Sequence, residues 1–372
     1  MSRARQIADL GSPAANGLSN RNLVKNGAMD VSQRATSSTG LGAANGYFTV
    51  DRMRMAIGDA SAGRFTMAQT AVTDLSGFSK SVKISCTTAD TSIAAGERLV
   101  LNYRFEGQDL QSLKSSSSSL KAFTVSFYAR ANTAFNLVSE IIFGADTSKN
   151  SEANQVNALT TSWQRFTMSI PAATNTQIDD VTTHDTDLMF WMHAGSTYTS
   201  GSNSTTLRPN VNANRAAGVS SIFASTSNFV EITGIQLEIG DTATPFEHRT
   251  FGDDLADCQR YFQKSYDYGT DIGTATTVGA MYHRHTAGEN VSNRTPTITF
   301  PVEMRAATTT VVYSLNGTAN AASDCGTGFT HSSDSTSTNF SGTDGTHGLS
   351  RLGLGQGKDA IIGFHYTADA EL

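Results

Sequence analysis

The sequence predicts an all-β protein built around a two-sheet sandwich, followed by a short linking helix and a smaller C-terminal β domain. Three observations lead there. Short runs with an apolar residue at every second position recur along the chain, as half-buried strands require. Long polar connections separate them, which favours a sandwich over a barrel of tight hairpins. The composition agrees: of 372 residues, 38% are hydrophobic, 16% are charged and 32 are glycine. Such a chain is globular and loop-rich, and long enough for two domains with cores of their own.

Taken in order, Ser2 to Leu10 could form barely two helical turns, too short to persist alone in water, so it either frays as a disordered terminus or is held by a partner. Asn26-Gly27 is a turn dipeptide, and a glycine-rich loop, Ser37 to Gly46, links two short apolar runs. Asp51 and Arg52 read as an exposed pair of little energetic weight. Leu99, Leu101, Tyr103 and Phe105 share one strand face, as do Phe123, Val125, Phe127 and Ala129, and then Phe166, Met168 and Ile170. Leu188 to Met192 is apolar throughout, as in a strand covered on both sides. Ser115 to Ser119, Asp146 to Thr161 and Ser196 to Thr206 are loop-like in composition.

From Val230 to Ile239 the alternation changes phase once. Val230 and Ile232 form the apolar set before Gly234; Ile235, Leu237 and Ile239 form it afterwards. One extra residue does this, so a β-bulge is predicted at or beside Gly234. Pro245 and the turn formers around it end the strand. A helix is then predicted with Asp253 as N-cap, Asp254 in the first turn, and Leu255, Cys258 and Phe262 on one face. Arg260 and Lys264 fall toward its negative end, and Gly269 stops it.

Beyond the helix, Ile298, Phe300, Val302 and Met304 alternate within Pro296 to Met304, and Pro301 marks an edge strand or a bulge. Val311 to Leu315 is another strand. Asn316 to Lys358 is a long run of small and polar residues, read as a functional or disordered loop. In the closing IIGFHYTADAEL, Ile362, Phe364, Tyr366, Ala368, Ala370 and Leu372 lie on one face of a strand expected to run to the last residue.

Two stretches carry a resemblance to a known family. GIQLEIGDTATPFEHRTFGDDLADCQRYFQKSY holds, in order, QLEIG, TPFEHR and LADCQRYF, with Gly234, Leu237, Pro245, Phe246, Leu255, Cys258, Arg260, Tyr261 and Phe262 as its signature positions. It resembles phage tail-fibre and receptor-binding proteins. NLVKNGAMDVSQR, followed by a polar loop and Tyr47 to Arg52, is similar to the opening of that family's jelly-roll domain. The ending TADAEL resembles the family's terminus. The resemblance implies an N-terminal docking segment over residues 1–19, a jelly-roll-like β-sandwich over 20–249, a linking helix over 250–268 and a C-terminal β domain over 269–372. It also implies a homotrimer, attached to other virion tail or capsid proteins through the N-terminal segment and adhering reversibly to a bacterial surface glycan or protein. Trimerisation has a physical argument too: the region after Tyr266 has few large apolar residues for its length, and association would supply burial.

The formal net charge of -6 argues against nucleic acid as the main partner, which needs a basic patch. Cys86, Cys258 and Cys325 are odd in number and far apart, so neither a disulfide framework nor a zinc spacing is expected. The start MSRARQIADLGSPAANG lacks a signal-peptide core, and no run reaches membrane-spanning length. A virion component, assembled in the host cytoplasm and released by lysis, fits these features.

Candidate sites follow from residue chemistry. Asp179, Asp180, His184, Asp185 and Asp187 form the densest acidic cluster, and Asp185 and Asp187 are the candidate metal ligands; a solvated acidic loop is the competing reading. His283 and His285 would share a strand face, and in a trimer could ligate a metal on the axis, a geometry some phage fibre tips resemble; surface histidines are the alternative. For carbohydrate, Tyr198 and the region from His331 to His347 offer ring faces and hydrogen-bonding groups in loops. No nucleophile elbow, zincin helix or phosphate loop is present, and no cofactor is implied. Paired carboxylates leave no mark in sequence, so a surface-polysaccharide depolymerase stands as an alternative, though the repeats of a β-helix are absent. A non-enzymatic appendage is the expectation, with a structural adaptor that never touches the receptor as the alternative within the same class.

Overall fold

A computed structural model of the chain describes residues 20–59, 62–144, 150–174, 176–285, 297–326, 328–329, 333–336, 338–339, 345–347, 349–350 and 360–372. They divide into two compact units. The first holds residues 20–32 and 36–254 with Leu372, and the second holds 33–35 with 255–371.

The first unit is a jelly-roll-like β-sandwich. Its six-stranded sheet runs, edge to edge, Ser37–Leu41, Arg64–Ala71, Lys80–Thr88, Phe229–Ile239, Phe123–Ala131, Gln164–Ile170. The seven-stranded sheet runs Ser204–Pro209, Ser151–Leu159, Phe135–Phe143, His184–Ala194, Arg98–Glu106, Arg54–Gly58, Gly46–Tyr47. The chain crosses repeatedly between the sheets. Their facing sides make one core, with Leu99, Leu101, Tyr103 and Phe105 from the second sheet meeting Phe123, Val125, Phe127 and Ala129 from the first. Each fully buried side chain of this size contributes roughly 1.5–3 kcal/mol. Leu188, Phe190 and Met192 join that core, and Met189 and Trp191 pack on the sheet's other face. The continuous apolar run is therefore covered on both sides, as its sequence implies.

Gly234 is the bulge. The register of Phe229–Ile239 against Phe123–Ala131 shifts between Thr233 and Gln236, and Gly234 has φ of 62°. The two motif stretches meet there. Asn22 donates its side-chain amide to the Ile235 carbonyl (3.0 Å), while its Oδ1 accepts from the Leu237 amide (3.1 Å) and the Val24 amide (3.0 Å). Glu247 Oε2 accepts from the Asn22 amide (2.7 Å). Gln236 Oε1 accepts from the Glu247 amide (2.8 Å), and Glu238 Oε1 from the Thr244 amide (2.9 Å). The polar residues of QLEIG thus face the TATPFEH loop and tie it down, and the Phe246 ring lies tilted against that of Phe78, centroids 5.0 Å apart.

Several expectations need correction. The described part of Asp146 to Thr161 is not a loop throughout: Ser151–Leu159 is a strand paired on both sides. Its polarity is absorbed internally, since Asn157 donates to the Ser139 hydroxyl (3.0 Å) and Asn154 to the Asn214 carbonyl (3.0 Å). Ser196 to Thr206 contains a helical turn, Ser196–Thr199, and the start of Ser204–Pro209. Ser115 to Ser119 lies in a small hairpin of Lys114–Ser116 and Ser119–Leu120, and the glycine-rich loop contains the edge strand Ser37–Leu41. Asp51 and Arg52 are buried, not exposed; Arg52 donates to the Arg104 carbonyl (2.6 Å) and lies over the Tyr103 ring.

The helix is shorter than its sequence pattern, Phe251–Gln259. Its cap is Thr250, not Asp253: the Thr250 hydroxyl accepts from the Asp253 amide (3.2 Å) and donates to the Asp253 carboxylate (2.7 Å). Phe262 and Lys264 leave the helix for a strand, Phe262–Lys264, because the backbone there pairs with Thr367 to Asp369.

In the second unit the strand Ala360–Asp369 is central, pairing with Phe262–Lys264, Met281–His285, Thr309–Ser314 and Ala321–Asp324. Ile362, Phe364, Tyr366, Ala368 and Ala370 are buried with Ile298, Phe300 and Met304. The strand stops at Asp369 rather than at the last residue, where Asp369 Oδ1 accepts from the Glu371 amide (2.9 Å), and Leu372 is only half-buried. Among the described residues of Pro296 to Met304 only Thr297–Thr299 is strand, and Val302 lies outside the buried cluster. Asn316 to Lys358 carries short strands among its described residues, so it is not a structureless loop.

Candidate functional site

The alternation that packs one face of the seven-stranded sheet into the core turns the other toward a cleft. In Arg98–Glu106 the residues between the core positions are Arg98, Val100, Asn102 and Arg104. In the neighbouring strands Arg54 and Ala56 alternate with buried Met55, and Asp187, Met189 and Trp191 alternate with Leu188 and Phe190. These outward side chains line a cleft of about 310 Å³, flanked by Asn45, Asn150 and Asn210. That is the lower end of the roughly 300–1,000 Å³ common for small-ligand sites. A more open hollow of about 480 Å³ beside Asn154, Gln155 and Asn203 has no charged side chain in its lining.

The floor of the cleft is rigidly built. Trp191 donates its indole N–H to Glu140 (2.7 Å), and Arg215 donates to both Glu140 oxygens (3.0 and 3.2 Å). The Arg215 guanidinium also lies 5.0 Å from the Trp191 ring centroid. Burial pushes the Glu140 carboxyl up to about 6, against the pull of Arg215 and of the Trp191 hydrogen bond. Glu152, also raised by burial, pairs with Arg208 (3.2 Å).

The upper part of the cleft is less satisfied. Asp187 sits 3.0 Å from His184 Nε2 and 3.5 Å from Arg104 Nε. Burial alone would raise its pKa, but the His184 hydrogen bond and the His184 and Arg104 charges outweigh it and hold the carboxyl low. Asp187 Oδ1 and Asn102 Oδ1 are buried acceptors with no hydrogen-bond partner. Arg54 is half-buried, and burial, then repulsion from Arg104, pull its pKa down.

The residues singled out from sequence fall elsewhere, apart from Asp187. Tyr198 is not a loop platform: it is buried in the turn Ser196–Thr199, its ring 5.2 Å from that of Trp191 and its hydroxyl bonded to Arg98. Asp185 is buried and accepts from the Thr186 hydroxyl (3.0 Å), and burial raises its pKa. Asp185 and Asp187 are therefore engaged separately, and among the described residues no three His, Cys, Asp or Glu side chains gather as a metal site. His283 and His285 both lie on Met281–His285, opposite Ile362 and Ala360; His283 is half-buried and the His285 side chain lies outside the described residues. His331 lies outside them altogether, and His347 is described only as strand backbone paired with Thr297.

The signature positions are architectural. Leu237 is core, Pro245 and Phe246 belong to the tied loop, and Cys258, Tyr261 and Phe262 are buried, with Leu255 half-buried. The Arg260 carbonyl accepts from the Arg305 amide (2.9 Å), and Arg34 stacks 3.8 Å over Phe262. Cys86, Cys258 and Cys325 are free thiols, each buried. The cleft residues Arg54, Arg98, Asn102, Arg104 and Arg215 were not anticipated. Their signal was present in RLVLNYRF, whose polar set is the complement of the apolar set that defines the strand.

No family model and no curated protein matches the chain. Among solved structures it is similar to the enzymatically active domain of bacteriophage CBA120 tailspike protein 4, with 9% identity and a TM-score of 0.28 over 59% of this chain and 22% of that one. It is similar to CBM4 at 15% identity and a TM-score of 0.30, over 58% of this chain and 99% of that one. It is also similar to the family 11 carbohydrate-binding module of a cellulosomal cellulase of Clostridium thermocellum, at 11% identity and a TM-score of 0.28, over 58% of this chain and 99% of that one. Likeness this low says nothing of function.

Proposed function

We propose that this chain is a non-catalytic adhesin of a phage virion, a tail fibre or similar appendage, and that the cleft on its seven-stranded sheet holds a glycan of the host surface. The observation that carries the reading is the cleft's chemistry: arginine and asparagine donors beside unsatisfied acceptors, on a sheet face whose opposite side is locked into the core. Sugars offer donors and acceptors together, and recognition by fixed polar groups suits them. Receptor contact is thereby assigned to a sheet face, not to the loop at Tyr198. Glycoside cleavage ordinarily needs two carboxyl groups flanking the bond. Among the described residues Asp187 is the single carboxylate in the cleft lining, and its other neighbours there are mainly arginine, asparagine and apolar side chains. The virion assignment is supported by the sequence resemblance, whose two stretches fold into one hydrogen-bonded unit.

Each site would bind weakly, and several copies per particle would multiply the effect through effective concentration. Trimerisation is part of the proposal. Tyr268, Val278, Met281 and Phe329 of the second unit are exposed, and association would cover such surface. Sedimentation is expected to give a trimer at micromolar concentration; a monomer would remove this part. For the adhesin, the purified full chain on a glycan array is expected to bind a discrete set of bacterial surface glycans without releasing new reducing ends. Failure to bind any glycan, or accumulation of reducing ends, would overturn it.

A further inference from the structure

We infer that the cleft selects an anionic sugar, with the charged substituent held by Arg54 and the ring hydroxyls donated to Asn102 and Asp187. This rests on the glycan reading and narrows it to a chemical class.

The chain as a whole carries a formal net charge of -6, yet the cleft gathers four arginines, Arg54, Arg98, Arg104 and Arg215, against the single carboxylate of Asp187. Their states differ. Arg215 is neutralised by Glu140 beneath it. Arg104 faces Asp187 at 3.5 Å, and Arg98 is bonded to the Tyr198 hydroxyl and lies over its ring. Among the described residues the Arg54 guanidinium makes no hydrogen bond and no ion pair of its own, and the one carboxylate that acts on it, Asp187, is already engaged by His184 and Arg104. A half-buried guanidinium without a counter-ion is destabilising unless something supplies one. A planar fork of N–H donors fits a carboxylate or phosphate in a bidentate contact.

The acceptors make the second, independent half of the case. Asn102 is 2% exposed and Asp187 6%, and each keeps an Oδ1 that accepts no hydrogen bond, the Asp187 Oδ1 having only the Arg104 Nε at 3.5 Å. Buried acceptors left unmade are rare and costly. They cannot receive an anion, but they can receive hydroxyl donors. A ligand that is an anion at one point and a polyol at others satisfies both. A neutral sugar would leave Arg54 without an anion, and a bare anion would leave the Oδ1 atoms of Asn102 and Asp187 without a hydroxyl donor. The aromatic groups do not offer a competing stacking platform, because Trp191 is covered by Arg215 and Tyr198.

The test uses the full chain on an array bearing uronic-acid and sialic-acid glycans, phosphorylated glycans and neutral glycans, with inorganic phosphate as a competitor. Acidic glycans are expected to bind at least tenfold more tightly than carboxyl-reduced counterparts, and binding is expected to weaken as salt is raised. Arg54→Gln is expected to lose roughly 10- to 100-fold in affinity, since a charge-assisted contact is removed. Arg54→Lys, which keeps charge but loses the fork, is expected to fall between. If Arg54→Gln does not fold, the lysine variant and the carboxyl-reduced ligands still decide. Carboxylated against phosphorylated spots identify which anion is the natural one. Equal binding of neutral and acidic glycans, or unchanged affinity in Arg54→Gln, overturns this inference and leaves the glycan reading standing. Binding of inorganic phosphate with no glycan bound overturns both.

Discussion

Replacing Glu140 by alanine is expected to destabilise the sandwich by about 3–5 kcal/mol, the range for stripping one partner from a buried ion pair. Glu140 is fully buried beneath the cleft and receives three hydrogen bonds, two from Arg215 and one from Trp191. Its removal would leave a buried guanidinium without a counter-charge and an indole N–H without an acceptor. The measurement is favourable, because both tryptophans, Trp163 and Trp191, lie in the first unit. Tryptophan fluorescence in a urea titration therefore reports that unit's own transition. The pH dependence has a definite sign. With the folded pKa of Glu140 raised from 4.5 to about 6, the folded state binds the extra proton between those values. Wild-type stability should then fall, relative to Glu140→Ala, as pH rises from about 4.5 to about 6, by roughly 2 kcal/mol. The advantage of the wild type is thus larger at the acid end. Replacing Glu140 and Arg215 together by leucine is expected to cost less than either single change, since no buried charge is left alone. A single Glu140→Ala change costing under about 1 kcal/mol at neutral pH would show that the pair does not hold the floor of the cleft.

The elements legible in the sequence were those whose apolar residues carry the pattern. Leu99 to Phe105, Phe123 to Ala129 and Val230 to Ile239 pack one face into a core and leave the other polar, so period two survives in the letters. Ser151–Leu159 was illegible for the opposite reason. Glu152, Asn154 and Asn157 are buried in that strand and engaged by Arg208, Asn214 and Ser139. Such pairing depends on residues far away in the chain, and composition reads it as a loop. The short helix failed at its end because the pairing of Phe262 with Asp369 is also non-local. At the site, the letters offered Tyr198 as an aromatic in a polar loop, but not that its ring would be turned onto Trp191. The arginines were visible as an alternating set, yet only the topology brings Arg54 beside Arg98 to Arg104. The strand Arg54–Gly58 pairs directly with Arg98–Glu106, so positions more than forty residues apart become neighbours.

Gly234→Val is expected to destabilise the sandwich by about 3 kcal/mol or more, and the reason joins the bulge to the motif that surrounds it. A β-branched residue at φ of 62° enters the left-handed region, where an L side chain costs roughly 1–2 kcal/mol. Space is also lacking: a Cβ at Gly234 would come within 2.7 Å of the Phe78 ring and 2.9 Å of the Tyr128 ring. Overpacking of that kind adds about 1–3 kcal/mol. The rings cannot simply retreat, since Phe78 is packed between Tyr128 and Phe246 at 5.1 and 5.0 Å. The backbone cannot relax toward the other side either. The next residue, Ile235, donates its amide to the Gly27 carbonyl (3.0 Å), and a Cβ on Gly27 would meet the Ile235 carbonyl oxygen at 2.2 Å. Glycine is therefore required at both positions for the N-terminal stretch and the bulged strand to approach as closely as they do. Removing the bulge would also shift the register of Ile235 and Leu237, moving both out of the core. In thermal unfolding followed by tryptophan fluorescence, Gly234→Val should lower the midpoint of the sandwich by roughly 6–12 °C. Gly27→Ala should produce a loss of the same sign. An unchanged midpoint in both variants would mean that the close approach of these two segments does not hold in solution.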